Sequence, residues 1–284
     1  MKRMILTGAL ALAAGVSSLM AQAAPPKAPA PKSKEELAAV QALFAATRNG
    51  PDAVIKAAED LLTKFADTDF KDAALLSEAQ AYQQQRDAGK AQIYAERALE
   101  ANPKNFQATL MLAELLAQNT RDNDLDKEEK LGRSEKYAQD TIQLVKDAAK
   151  PNPQIPDQQW EDAKKDLTAG AHNALGLAAL VRKKYDVAAA EFKTAADGSV
   201  PPEPAYQVRE ASALQMGGRN DDAVAICDKI MADPQVHPQI RQVSQAIRAT
   251  AIKAGAKNTT PPAALAAPAA PAAPAPPPPA EKKQ

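Results

Sequence analysis

Residues 72–103, DAALLSEAQAYQQQRDAGKAQIYAERALEANP, decide how this chain folds. Apolar and small side chains recur as Leu75, Leu76, Ala79 and Tyr82. After Arg86-Asp87-Ala88-Gly89 they recur again as Ala91, Tyr94, Ala95, Ala98 and Leu99. Steps of three and four residues put each set on one face of an α-helix. Asp72 stands where an N-cap acceptor is wanted, and Arg86–Gly89 reads as the turn. Asn102-Pro103 ends the second helix, because proline has no N–H for the ladder. The stretch predicts two short helices folded back on each other.

The same grammar returns downstream. His172, Leu175, Gly176 and Ala179 lead through Lys183-Lys184-Tyr185 to Ala188, Phe192 and Ala195, with Pro201-Pro202 as the stop. Tyr206, Ala211 and Leu214 lead through Gly217-Gly218 to Ala223, Cys227 and Ile230, with Pro234 as the stop. Ala188 and Ala223 are 35 residues apart, which is the spacing of a repeat array. A weaker copy runs from Leu37 to Phe65 with Asn49-Gly50-Pro51 as its turn. Glycine is sparse and aromatic residues make up 4% of the chain, while good helix formers fill the middle. Strand-like β-branched runs are nearly absent, so the chain reads as all-α.

These units resemble tetratricopeptide repeats, which carry a small residue in the first helix, an aromatic three further on, alanines in the second helix and a terminal proline. Ala79, Tyr82, Ala91, Ala98 and Pro103 sit at those spacings, and so do Leu175, Gly176, Ala188, Phe192 and Ala195. The resemblance covers most of residues 34–235. It implies an α-solenoid of four to five helix–turn–helix repeats, stacked into a superhelix with a concave groove lined by first helices. By the same resemblance the groove residues are Leu76, Gln80, Gln83, Asn173, Leu177, Ser212 and Gln215. The branch of the family that clamps a partner's C-terminal carboxylate does so with lysines, an arginine and asparagines. That basic set is missing from these positions, so the resemblance implies apolar and amide-mediated contacts.

Two departures interrupt the array. After a first helix with Leu110, Leu112, Ala113 and Leu116 comes an insertion, Asn119 to Arg133, and the second helix is expected from about Ser134, with Ala138 and Thr141 in step. A further insertion, Ala149 to about Leu167, contains Pro151, Pro153, Pro156 and Trp160. Asp157 is placed to cap an extended helix striped by Trp160, Ala163, Leu167, Ala171 and Leu175. Pro238 to Ala254 reads as a closing amphipathic helix, with Ile240, Val243, Ile247 and Ile252 toward the array, since a terminal repeat needs a cover.

The ends have a different character. Lys2-Arg3, the apolar run Met4–Val16 and Ala21-Gln22-Ala23 make the three parts of a secretory signal peptide, residues 1–23. No cysteine follows the run, so a lipoprotein anchor is not expected, and the chain reads as exported to a periplasm or outside the cell. Residues 24–33 are a Pro/Ala/Lys linker, residues 34–254 the helical array, and residues 255–284 a Pro/Ala-rich tail. Such a tail cannot bury enough apolar surface to fold, and its prolines favour extended polyproline II.

Chemistry-bearing residues are scarce. Formal charge is zero, which offers no basic face for nucleic acid. One cysteine, Cys227, allows no internal disulfide, and its place on an apolar stripe makes it a core residue. His172 reads as a satisfied, part-buried histidine and His237 as a turn residue. No His/Cys metal spacing or glycine-rich phosphate loop is present. Asp122, Asp124, Asp126, Glu128 and Glu129 suggest calcium, yet a loop counted from Asp122 has Lys127 and Arg133 at its sixth and twelfth places. Counting from Asp124 recovers Glu135 but not the glycine. The better reading is a solvated insertion whose acids favour the next helix's N-terminus.

No cofactor and no catalytic residue is expected. The functional expectation is a non-catalytic interaction scaffold of the periplasm or cell envelope, taking a peptide or a partner helix in its groove. The alternative is an accessory domain of an envelope enzyme or transporter complex, recruited through the Pro-rich tail.

Overall fold

The computed structural model describes residues 29–150 and 154–257. The signal-peptide reading, most of the linker and the tail from residue 258 lie outside the described residues. Within them there are eleven α-helices and no strand. They run α1 (Lys34–Ala46), α2 (Pro51–Lys64), α3 (Lys71–Gln84), α4 (Ala88–Ala101), α5 (Phe106–Asn119) and α6 (Lys127–Lys146). The chain continues through α7 (Asp157–Val181), α8 (Tyr185–Gly198), α9 (Pro204–Met216), α10 (Asn220–Ala232) and α11 (Pro238–Lys253). Successive helices pack in antiparallel pairs, α1/α2 to α9/α10, and each pair packs on the next, giving a solenoid of five pairs closed by α11.

One turn recurs at the heart of these pairs. The N–H groups of Asp87, Lys184 and Arg219 each donate to a carbonyl five residues back, on Tyr82, Ala179 and Leu214, all at 2.9 Å. The residue before each donor is left-handed: Arg86 at φ 62°, Lys183 at φ 60° and Gly218 at φ 82°. This is the Schellman arrangement, which satisfies carbonyls left over at a helix end. Only the last of the three uses glycine. Gly89, read above as part of a turn, lies inside α4, and Arg86 carries the strained position instead.

Alanine and glycine let the helices approach closely. Ala91, Ala95 and Ala98 of α4 are fully buried against Leu75, Ala79 and Tyr82 of α3 and Leu112 of α5. A Cβ built on Gly176 would lie 2.6 Å from the Phe192 ring, so the α7/α8 contact requires glycine there. Phe192 itself is the largest fully buried side chain. The buried thiol of Cys227, pushed up to about 12 chiefly by burial, belongs to the α9/α10/α11 core.

Polar groups inside the array are mostly paired. Ser33 caps α1 by accepting from the Glu36 N–H, and buried Glu36 accepts from the Thr68 hydroxyl at 2.6 Å. Thr141 and Thr109 join α6 to α5 through their hydroxyls at 2.9 Å. Two exceptions among the described residues are the Asn220 Oδ1 and, deeper in the array, Glu78 on α3. Glu78 is 1% exposed, its Oε2 has no hydrogen-bond partner, and its carboxyl is pushed up to about 7. Burial is the main cause and the Glu59 charge adds to it, against the opposing pull of Arg97 and the Tyr94 hydroxyl.

Several local expectations differ from the structure. Asp72 does not cap α3, which starts at Lys71. Its carboxylate instead accepts from the Asn102 and Asn105 side-chain amides at 2.7 and 3.0 Å, tying the start of one pair to the start of the next. Asp157 is the first residue of α7 rather than its cap, and it pairs with Lys150 at 2.5 Å. Helix α6 begins at Lys127, a full turn and more before Ser134, and its added turns are held by buried Leu131, by Arg133 on Glu96 of α4 and by Glu128 on Arg182 just past α7. On α11, Ile240, Ile247 and Ile252 pack inward as expected, but Val243 is 42% exposed, and Ser244 and Ala251 take the buried places.

Candidate functional site

Thirteen or fourteen residues is the rule for the paired helices from α1 to α5, but α7 has 25. Ala169 stands 35 residues before Pro204, where α9 starts, so residues 169–181 form the repeat-conforming half of α7. The turns before Ala169 are additional. They exist because Pro156 starts the helix early and Trp160 finds a place to pack: it is 8% exposed, with its indole N–H pointing to the Ala148 carbonyl at 3.4 Å.

The added turns build a pocket of about 460 Å³ walled only by first helices of the pairs. Phe106, Gln107, Leu110 and Glu114 come from α5, and Tyr206 from α9. Trp160, Ala163, Asp166, Leu167 and Gly170 come from α7. Phe106 and Trp160 meet as a tilted pair with centroids 6.2 Å apart at 52°. Gly170 sets the depth, because a Cβ there would come within 3.2 Å of Leu110 and 3.7 Å of the Glu114 Oε1.

Behind the pocket lies a polar cluster that fixes its floor. Arg209 of α9 donates through Nη1 to the Asn173 Oδ1 of α7 at 2.5 Å, and its guanidinium lies 6.0 Å from the Tyr206 ring centre. Burial holds the Glu114 carboxyl above the usual range, while Arg209 and a hydrogen bond with Asn173 pull the other way. The Tyr206 phenol is raised by burial first and by the Glu114 charge second. At the rim Asp166 accepts from the Val200 N–H at 2.6 Å.

The other face of α7 carries a second cleft, about 430 Å³, between α6 and α8. Ile142, Val145 and Ala169 floor it, and Lys146, Lys164 and Lys165 stand at its edge. Lys164 and Lys165 are already paired with Glu161 and Asp162, each at 3.1 Å. Thr168 and Thr194 turn their hydroxyls back to their own helices, and His172 is held by Glu191 at 2.7 Å. This cleft therefore offers little free hydrogen bonding.

None of the seven groove residues inferred from the family resemblance lines the α5/α7/α9 pocket. Leu76 is buried in the α3/α4/α5 core, and Leu177 packs into the α8/α9/α10 core. Gln80 and Gln83 are exposed on α3, and Ser212 and Gln215 are half-buried on α9. Asn173 alone bears on the pocket, from beneath, as the acceptor for Arg209. The acidic insertion is neutralised within the chain: Asp122 pairs with Lys127 and Lys183 at 3.1 and 2.7 Å, and Asp124 and Asp126 with Lys130. No group of three or more metal-ligating side chains occurs among the described residues.

The arrangement of pairs, turns and small-residue contacts is tetratricopeptide-like. No protein-family model matches the sequence, and no curated protein matches it. Among solved structures the chain is similar to a thermophilic TPR protein of Thermus thermophilus, with 20% identity and a TM-score of 0.45. That similarity spans 74% of this chain and 95% of the other.

Proposed function

We propose that this chain is a non-catalytic protein–protein interaction scaffold of the periplasm or cell envelope, which holds a peptide or a partner helix on the surface made by its first helices. The observation that carries the reading is the pocket between α5, α7 and α9. Three aromatic rings and two leucines line an opening to solvent, at a place where the regular repeat alone would leave only Gly170 of the α7 contribution. Aromatic anchors in concave, part-desolvated sites dominate the energetics of protein interfaces. The leader-like first 23 residues support export, and no helix among the described residues is long and apolar enough to cross a membrane.

Affinity capture from the native envelope fraction tests this, using the mature chain intact, lacking residues 255–284, and carrying Trp160→Ala. The expected result is one partner retained by the intact and shortened forms and lost by the variant. Retention by the intact form alone would make the tail the recognition element. Retention by Trp160→Ala would remove the pocket from the account.

A further inference from the structure

The lining of the α5/α7/α9 pocket is lopsided in charge: it contains two carboxylates, Glu114 and Asp166, and no lysine or arginine. Elsewhere the acids of this chain are commonly ion-paired, as Asp122, Asp126, Asp140 and Asp228 are. Among the described residues neither Glu114 nor Asp166 has such a partner. The nearest cation, Arg209, is committed to Asn173 and lies along Tyr206. Phe106, Trp160 and Tyr206 surround the same space. Aromatic faces attract a cation electrostatically, and carboxylates beside them add a charge-assisted hydrogen bond.

We infer that the partner segment fills this pocket with a lysine or arginine side chain, its aliphatic stem against Phe106, Trp160 and Leu110 and its charged head at Glu114 and Asp166. The inference rests on the reading of the pocket as the binding surface and adds the chemistry of the occupant. A long cationic side chain suits the site better than a purely apolar one, which would cover the part-buried Glu114 and leave it only the Asn173 hydrogen bond and the Arg209 charge behind it. An acidic segment is disfavoured by like charge at the rim.

Panning a random peptide library against the intact chain tests the inference. Enriched peptides are then synthesised, alongside copies with the basic residue replaced by Met. Their Kd is measured against the natural chain, the near-isosteric double variant Glu114→Gln/Asp166→Asn, and Trp160→Ala, with circular dichroism confirming that each variant folds. The expected result is a shared Lys or Arg whose replacement weakens binding at least 10-fold, an equal loss in the double variant, and a larger loss in Trp160→Ala. Enriched peptides that need Trp160 but carry no basic residue would overturn the cationic occupant and leave the pocket reading standing. Peptides indifferent to Trp160→Ala, or no enrichment at all, would overturn both.

Discussion

The two halves of α7 do different work. From Ala169 to Val181 the helix is an ordinary member of the array, burying Gly170, Ala171, Asn173, Ala174, Gly176, Ala178 and Ala179 against its neighbours. Before Ala169 it buries only Trp160, and it presents Glu161, Lys164, Lys165 and Thr168 to one cleft and Ala163, Asp166 and Leu167 to the other. The repeat-conforming half consists largely of small residues because it must let other helices in. The added half carries charged residues because, apart from Trp160, none of its side chains is fully covered. The repeat thus supplies the frame, and the departure from the repeat supplies the surface.

That contrast can be broken at several points. The largest effect is expected in the frame. Phe192→Ala empties the space that Gly176 makes for it and should cost about 3–5 kcal/mol in denaturant unfolding. Gly176→Ala overpacks the same contact, a Cβ falling 2.6 Å from the ring, and should cost about 1–3 kcal/mol.

Next comes a buried charge inside a regular pair. The Glu78 carboxyl, at about 7 in the fold against 4.5 for the free side chain, takes up a proton on folding between those pH values. Stability should therefore fall as pH rises from about 4.5 to 7 and level off above that range. Glu78→Gln should remove the dependence and be more stable than the natural chain at pH 8, by about 2 kcal/mol. Equal melting at pH 5 and pH 8 in the natural chain would contradict this.

In the added half the effect should be smaller and local. Trp160→Ala is expected to lower global stability by only about 1–2 kcal/mol. Amide hydrogen exchange should nonetheless rise through residues 157–168 and stay protected through residues 169–181. Smallest of all, Asp122→Ala should change stability by less than about 0.5 kcal/mol, since its pairs with Lys127 and Lys183 are exposed. Addition of calcium should leave the melting temperature of the natural chain unmoved.

How far the sequence could be read follows the same division. Arg86, Lys183 and Gly218 mark the turns, and alanine spacing marks the packed faces, because repetition makes one local rule hold in several places. The ends of α3 and α6 were harder, since Asp72 and Arg133 are engaged by residues some 30 to 37 positions away. The pocket was not legible. Leu110 read as part of one first helix, Trp160 as part of a stripe, and Tyr206 as part of another first helix; only the stacking of α5, α7 and α9 joins them. Leu76 failed as a groove residue for a simple reason. One residue along a helix turns the side chain by about 100°, so a face borrowed by analogy is easily misassigned between neighbours.

Site-specific photo-cross-linking in the native envelope tests the central claim most directly. One form of the chain carries a photoreactive side chain in place of Gln107, at the α5/α7/α9 pocket, and the other in place of Thr194, at the cleft on the opposite face of α7. A discrete partner adduct is expected from position 107 and none from position 194. An adduct from position 194 with position 107 silent would place the binding surface on the other side of the array and contradict the claim.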